Sequence, residues 1–133
     1  MNKLLTIDAL FLNEDRHTHN IAVLMNGKGN YAYCPIFDNG AGLLADTTMD
    51  YPLSGNVYTF MDNVRSKTIC SEFDEQLDIS KSLYKTNLKF NFTKNDVTEL
   101  LKNVEEYPEE IRNRVETIIF AQMRKYTYLF SSV

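Results

Sequence analysis

Asp15, Asn20 and Asp38 are the residues whose types and spacing could do chemistry. Two carboxylates and a carboxamide brought to one place make a site for a hard cation such as Mg²⁺, which takes a few oxygen ligands and completes its shell with water or phosphate. Asp15 and Asn20 stand five residues apart, and Asp38 lies eighteen beyond Asn20. Phosphoryl transfer uses such a set: it asks the protein for positioning and charge stabilisation more than for covalent chemistry.

The elements that must position these side chains are local. From Lys3 to Leu12 the apolar residues are dense enough for a helix buried on most sides, with Asp8 its one polar intrusion and Asn13 a terminator that tolerates the left-handed cap. Such a helix delivers Asp15 just past its C-terminal end. Ile21–Met25 and Tyr31–Cys34 read as strands around the turn formers Asn26-Gly27-Lys28-Gly29-Asn30, which predicts a β-hairpin. Phe37-Asp38-Asn39-Gly40-Ala41-Gly42 then places the second acid on a loop at the strand end.

Beyond Ala45 the pattern weakens. Thr47–Gly55 reads as loop, and Val57–Val64 as a short strand or an irregular segment. Ser71 can cap a helix over Glu72–Tyr84 that buries Phe73, Leu77, Ile79 and Leu83, and Leu88–Phe92 is a short strand or extended link. Thr93 N-caps the next helix, with Asp96 complementing its N-terminus and a core stripe of Val97, Leu100, Leu101 and Val104. Pro108 and the glutamates after it start a last helix running to about Leu129, its end packing Tyr126, Tyr128 and Phe130 on the core. The fold class is α+β in a single domain, 1–133: a helix, a hairpin, an irregular middle and a helical C-terminal half.

Composition narrows the function classes. A chain of 133 residues can bury a sizeable core, and 44% apolar with 24% charged residues matches an ordinary globular domain. A net charge of −4 argues against broad binding to nucleic acid or an anionic membrane, since both need a positive footprint. No window reaches the length of a membrane span. Asp8 breaks the apolar start and no small-residue cleavage site follows, so a cytoplasmic location is expected. Cys34 and Cys70 are expected to be small buried thiols of a reducing compartment.

The stretch DRHTHN, Asp15 to Asn20, resembles the D-R-H-x-x-N catalytic loop of phosphoinositide kinases and HipA-like bacterial serine/threonine kinases, and PIFDNGAGL resembles the metal-binding motif that follows it. The short hairpin, Pro35 and the Asn39-Gly40 pair point to the HipA-like branch, over Asp8 to Leu44. The resemblance implies a kinase C-terminal-lobe-like, mostly helical fold whose hairpin carries the catalytic and metal-binding loops. It implies ATP and Mg²⁺ as cofactors, a protein substrate and a toxin–antitoxin setting. Asp15 would be the catalytic base, and His17 would orient it or shape the loop. Asn20 and Asp38 would bind the metal-nucleotide cofactor, Asp38 as chief Mg²⁺ ligand, and Arg16 would pair with a nearby carboxylate.

The chain opens on the helix that precedes the catalytic loop, so the N-terminal lobe, with its glycine-rich loop and nucleotide-positioning lysine, is expected from a partner or a longer chain. Gly27-Lys28-Gly29 is a hairpin turn, too short for a phosphate cradle. Two functions stay open: a split or truncated kinase completed in trans, and an inactive remnant that binds a protein partner or self-associates at the face an N-lobe would cover. The blander readings are solvated or capping aspartates. The pair His17 and His19 with Cys34 lacks a fourth ligand for zinc.

Overall fold

The computed structural model describes residues 1–130. Its first helix, α1 (Asn2–Leu10), buries Leu4, Leu5, Ala9 and Leu10, and also Thr6 and Asp8. Helix α1 packs against α3 (Phe73–Tyr84) and α5 (Glu109–Lys125). Side chains from both neighbours satisfy its backbone. Gln76 Nε2 donates to the Leu5 carbonyl at 2.8 Å, and Gln122 Nε2 donates to the Ala9 and Leu10 carbonyls at 3.0 and 2.9 Å. The last carbonyls of a helix have no partner within it, so Gln122 supplies what the helix end lacks.

The terminator differs from expectation. Leu12, not Asn13, takes the left-handed conformation, at φ 55°, and the Asn13 N–H closes a six-residue bond to the Asp8 carbonyl at 2.9 Å. Leu12 is only 5% exposed, so burial of its side chain offsets the backbone strain, and Asn13 is held by its own amide, which donates to Asp8 Oδ1 at 3.1 Å.

Strands β1 (Val23–Met25) and β2 (Tyr31–Tyr33) form an antiparallel pair in the register Val23↔Tyr33, Leu24↔Ala32 and Met25↔Tyr31. The turn is built by Asn26, whose Oδ1 accepts from the Lys28 and Asn30 N–H groups at 2.8 and 3.0 Å, and by Gly29 at φ 82°. The strands are shorter than the sequence suggests, and all six of their residues are exposed.

Val57–Asn63 is a helix, α2, where a strand or irregular segment was expected. The side chain of Asn56 caps it by accepting from the Tyr58 and Thr59 N–H groups at 3.0 and 3.2 Å. A Cβ at Gly55 would overlap the tip of the Phe60 ring, so a larger residue at the entry to α2 would have to displace that ring. Helix α3 begins one residue later than expected, with Glu72 rather than Ser71 at its cap position. Phe73 and Leu77 are buried as anticipated, whereas Leu83 is 64% exposed because Gln76 and Ser80 complete the buried face.

Helix α4 (Lys94–Asn103) starts with a capping box: Thr93 Oγ1 accepts from the Asp96 N–H at 3.2 Å, and Asp96 Oδ2 accepts from the Thr93 N–H at 2.8 Å. Its expected core stripe is narrower than the spacing implies. Val97 is buried, but Leu100 is 65% exposed because α4 packs chiefly on α5, through one face. Helix α5 ends at Lys125 and a single 3₁₀ turn, Thr127–Leu129, follows. Tyr126 and Leu129 are buried, Phe130 stacks with Phe90 and Phe92 at centroid distances of 5.4 and 5.1 Å, and Tyr128 stays half exposed. The Phe90 N–H donates to the Leu129 carbonyl at 2.7 Å, so Leu88–Phe92 is an extended link with one bridge.

The core joins Ala9, Leu10 and Leu12 of the first helix region to Leu44, Val64, Phe73, Leu77, Ile118, Tyr126 and Leu129. The chain is thus a small, mostly helical α+β fold in which the described residues form five α-helices and one two-stranded sheet. Cys34 and Cys70 are free thiols, half-buried rather than buried. No helix among the described residues is long and apolar enough to cross a membrane.

Candidate functional site

The loops bearing Asp15 and Asp38 are tied together by Arg16. Its guanidinium is fully buried and pairs with Asp8, Nε donating to Oδ2 at 2.9 Å and Nη2 to Oδ1 at 3.3 Å. Nη1 donates to the Asn20 carbonyl at 3.2 Å and to the Phe37 carbonyl, and Nη2 also reaches Asn39 Oδ1. One side chain therefore joins α1, the Asp15–Asn20 loop and both neighbours of Asp38. A buried guanidinium needs a carboxylate and several acceptors to offset its desolvation, and each is present here. The carboxylate expected beside Arg16 is Asp8, the lone polar residue of the first helix.

The second tie is backbone. The Glu14 N–H donates to the Ala41 carbonyl at 3.3 Å, and the Leu43 N–H donates to the Phe11 carbonyl at 2.7 Å. The Thr68 hydroxyl adds a bond to the Arg16 carbonyl at 2.6 Å. Asp15 and Asp38 consequently line the same open cleft of about 390 Å³, with Glu14, Asp46, Asp50 and Lys67. Both carboxylates are exposed, and neither accepts a hydrogen bond from the described residues. Asp38 sits in the left-handed region, at φ 57°, a conformation Asp and Asn adopt more readily than other side chains.

Asn20 is placed differently. It is 8% exposed, and its Nδ2 donates to the Asp15 carbonyl at 2.9 Å. It lines a neighbouring apolar cavity of about 600 Å³ with Ile21, Ala22, Tyr33, Ile36 and Phe37, so the structure does not bring it to the cleft shared by the two aspartates. His17 bonds within its own loop: Nδ1 accepts from the His19 N–H at 3.3 Å, and Nε2 lies 3.4 Å from Asn20 Nδ2.

Among the described residues, no group of three or more His, Cys, Asp or Glu side chains is gathered closely enough to hold a metal ion unaided. The cleft acids line its walls without converging. Mg²⁺ asks for less than such a cage, since it is commonly held by one or two carboxylates with waters and substrate phosphates. Asp15 and Asp38 fit that demand, with Lys67 beside them as a cation for phosphate oxygens.

Glu14, Asp46 and Asp50 were not singled out from the sequence, and nothing in their spacing signals the cleft. They bear on Tyr51, whose hydroxyl donates to Glu14 Oε2. Burial, that hydrogen bond and the charges of Glu14, Asp50 and Asp46 raise the Tyr51 pKa well above its ordinary value. Tyr126 is raised likewise, by burial and then by its hydrogen bond to Asp74. A tyrosine with a raised native pKa contributes stability that is complete below the unfolded value of about 10 and lost as pH rises from there through the native value. Stability measured by denaturant titration should therefore fall as pH rises above about 10, and Tyr126→Phe should flatten that fall. An unchanged slope in the variant would mean that Tyr126 ionises freely.

Comparison with protein-family models, with curated proteins and with solved structures finds no match to this chain.

Proposed function

We propose that this chain is the C-terminal lobe of a HipA-like serine/threonine kinase, transferring the γ-phosphate of ATP to a protein hydroxyl once an N-terminal lobe is supplied by a partner or a longer chain. The observation that carries the reading is the buried Arg16 clamp, which ties the DRHTHN loop to the FDNG loop and sets Asp15 and Asp38 on one cleft. A folding role would bond their carboxylates to the protein, and among the described residues neither carboxylate accepts a hydrogen bond. In this reading Asp15 accepts the proton of the attacking hydroxyl, Asp38 holds Mg²⁺ across the phosphates, and Lys67 offsets phosphate charge. Asn20 borders both the Asp15 backbone and the apolar cavity, where a planar base has walls of Ile21, Ala22 and Ile36. ATP bound with Mg²⁺ would supply the phosphoryl group itself.

Thermal unfolding with and without millimolar Mg²⁺-ATP tests the site. A ligand that binds only the native state stabilises it by about 2.7 kcal/mol at a hundred times its Kd, so wild type should show a rise in Tm that grows with ligand. Asp38→Asn keeps the left-handed backbone and removes the charge, and it should lose that rise without a change in apo Tm. Equal shifts in both proteins would rule out Asp38 as the metal ligand.

A second reading, a non-catalytic interaction module, is favoured by the hairpin. Val23, Leu24, Met25, Tyr31 and Tyr33 are each more than half exposed, on a ribbon whose two outer edges are unpaired among the described residues. Apolar exposure of that kind is usual where a partner docks. Absence of any nucleotide-dependent Tm shift, with a concentration-dependent rise in mass by light scattering, would favour this reading.

A further inference from the structure

Two asparagines in this chain stand directly before glycine, Asn26-Gly27 at the hairpin tip and Asn39-Gly40 beside Asp38. The pairing is reactive, because glycine has no Cβ to keep its own nitrogen from the side-chain carbonyl carbon of the residue before it. Both pairs are exposed, and a Cβ at either glycine would meet nothing within 4 Å, so access to water and space do not distinguish them. Their side-chain carbonyls do.

Asn26 Oδ1 accepts from the Lys28 and Asn30 N–H groups at 2.8 and 3.0 Å, which folds the carbonyl back over its own turn, with the Gly27 nitrogen inside the ring so closed. Two N–H donors on that oxygen also stabilise the negative charge it takes up when a nucleophile adds to Cγ. The Gly27 N–H and Asn26 Nδ2 make no hydrogen bond among the described residues, so neither the attacking nitrogen nor the leaving one is held. Asn39 is the reverse case. Its Oδ1 accepts from Arg16 Nη2, on a guanidinium without exposed surface that is fixed to Asp8, and this turns the carbonyl towards α1 instead of its own peptide. Ring closure there would have to break the clamp.

We propose that Asn26 is a modification site at which the turn itself promotes conversion to isoaspartate, while the Arg16 clamp protects the same dipeptide at Asn39. The Gly27 nitrogen gives its proton to a solvent base and bonds to Asn26 Cγ, the Cγ–Nδ2 bond breaks, and ammonia leaves a succinimide ring. Water then opens that ring: attack at the main-chain carbonyl yields isoaspartate, and attack at Cγ yields aspartate. Water is the only co-reactant, and nothing is oxidised or reduced. The product is a carboxylate near Lys28, the one charged residue between Ile21 and Phe37, and isoaspartate adds a methylene to the backbone of the turn. The apolar ribbon thereby gains charge and loses the bonds that set its tip. This chemistry holds whether or not the chain binds nucleotide.

Trypsin places the two pairs on separate peptides, His17–Lys28 and Gly29–Arg65, so one experiment reads both. The folded chain is held in mildly alkaline buffer and digested, and each peptide is separated into amide, aspartate and isoaspartate forms by chromatography with mass detection. Asn26 should convert about tenfold faster than Asn39. In urea, where turn and clamp are both gone, the two rates should converge. Gly27→Ala places its Cβ in open space at an ordinary backbone angle, so it should leave Tm unchanged and slow conversion at Asn26 about tenfold. Asn39 converting as fast as Asn26 in the folded chain, a rate ratio that urea leaves unchanged, or a Gly27→Ala rate equal to wild type would each overturn the proposal.

Discussion

Arg16→Ala should cost about 3–5 kcal/mol of folding stability, because breaking one side of a buried ion pair leaves the other charge without compensation. Asp8 is 1% exposed and would keep its carboxylate in the interior, while the carbonyls of Asn20 and Phe37 and the Asn39 side chain would all lose their donor. A domain of this size has about 5–15 kcal/mol in total, so the variant should stand near the edge of folding. Urea titration gives the number. Replacing both partners, as Asp8→Leu with Arg16→Leu, should recover part of the loss, since an apolar pair removes the stranded charge. The double variant should nevertheless lose the Mg²⁺-ATP Tm shift, because nothing then fixes the two loops to each other. An Arg16→Ala protein within about 1 kcal/mol of wild type would mean that the guanidinium is solvated and the clamp does not exist.

Leu77→Ala should cost about 2–5 kcal/mol, the range for removing a fully buried leucine and leaving a cavity behind. Leu77 has no exposed surface and belongs to the cluster that holds Ala9, Leu10 and Leu12 in place, so its loss loosens the helix that delivers Asp15. Leu100→Ala is the control, because a side chain 65% exposed away from any special feature should move stability by no more than about 0.5 kcal/mol. Denaturation midpoints at constant m-value discriminate the two. Equal costs would mean that α4 is packed on both faces and that the described arrangement of α4 and α5 is wrong.

Much of this fold was legible in order along the chain. The kinase resemblance implies a nearby carboxylate for Arg16, and Asp8, the one polar residue in the apolar first helix, is that carboxylate. The turn formers Asn26 to Asn30 announced a hairpin, and Thr93 with Asp96 announced a capped helix. Helix α2 has its own signal in the chain, Val57, Phe60, Met61 and Val64 at helical spacing behind an Asn cap, but the polar residues around them dilute it. Other features were out of reach because they depend on distant neighbours. Spacing cannot tell that Leu83 and Leu100 face solvent while Gln76 and Gln122 are buried, since the glutamines are held by carbonyls of α1 far away in the sequence. The same holds for the cleft, where Asp46, Asp50 and Lys67 meet Asp15 and Asp38 only through the path of the loops. For Asn20, spacing gave a plausible ligand, but the amide is turned to the Asp15 carbonyl beside the apolar cavity.

The left-handed backbone at Asp38 carries an evolutionary consequence. At φ 57°, with Arg16 gripping the Phe37 carbonyl and the Asn39 side chain, the residues that replace Asp with least strain are Asn and Gly. Selection for folding alone would leave those three interchangeable, because the carboxylate forms no bond that the fold needs among the described residues. A lineage whose cleft had lost its task could exchange the acid for either neutral residue and keep its structure. Drift at this one position therefore reads out chemistry separately from stability, which few sites in a small domain permit.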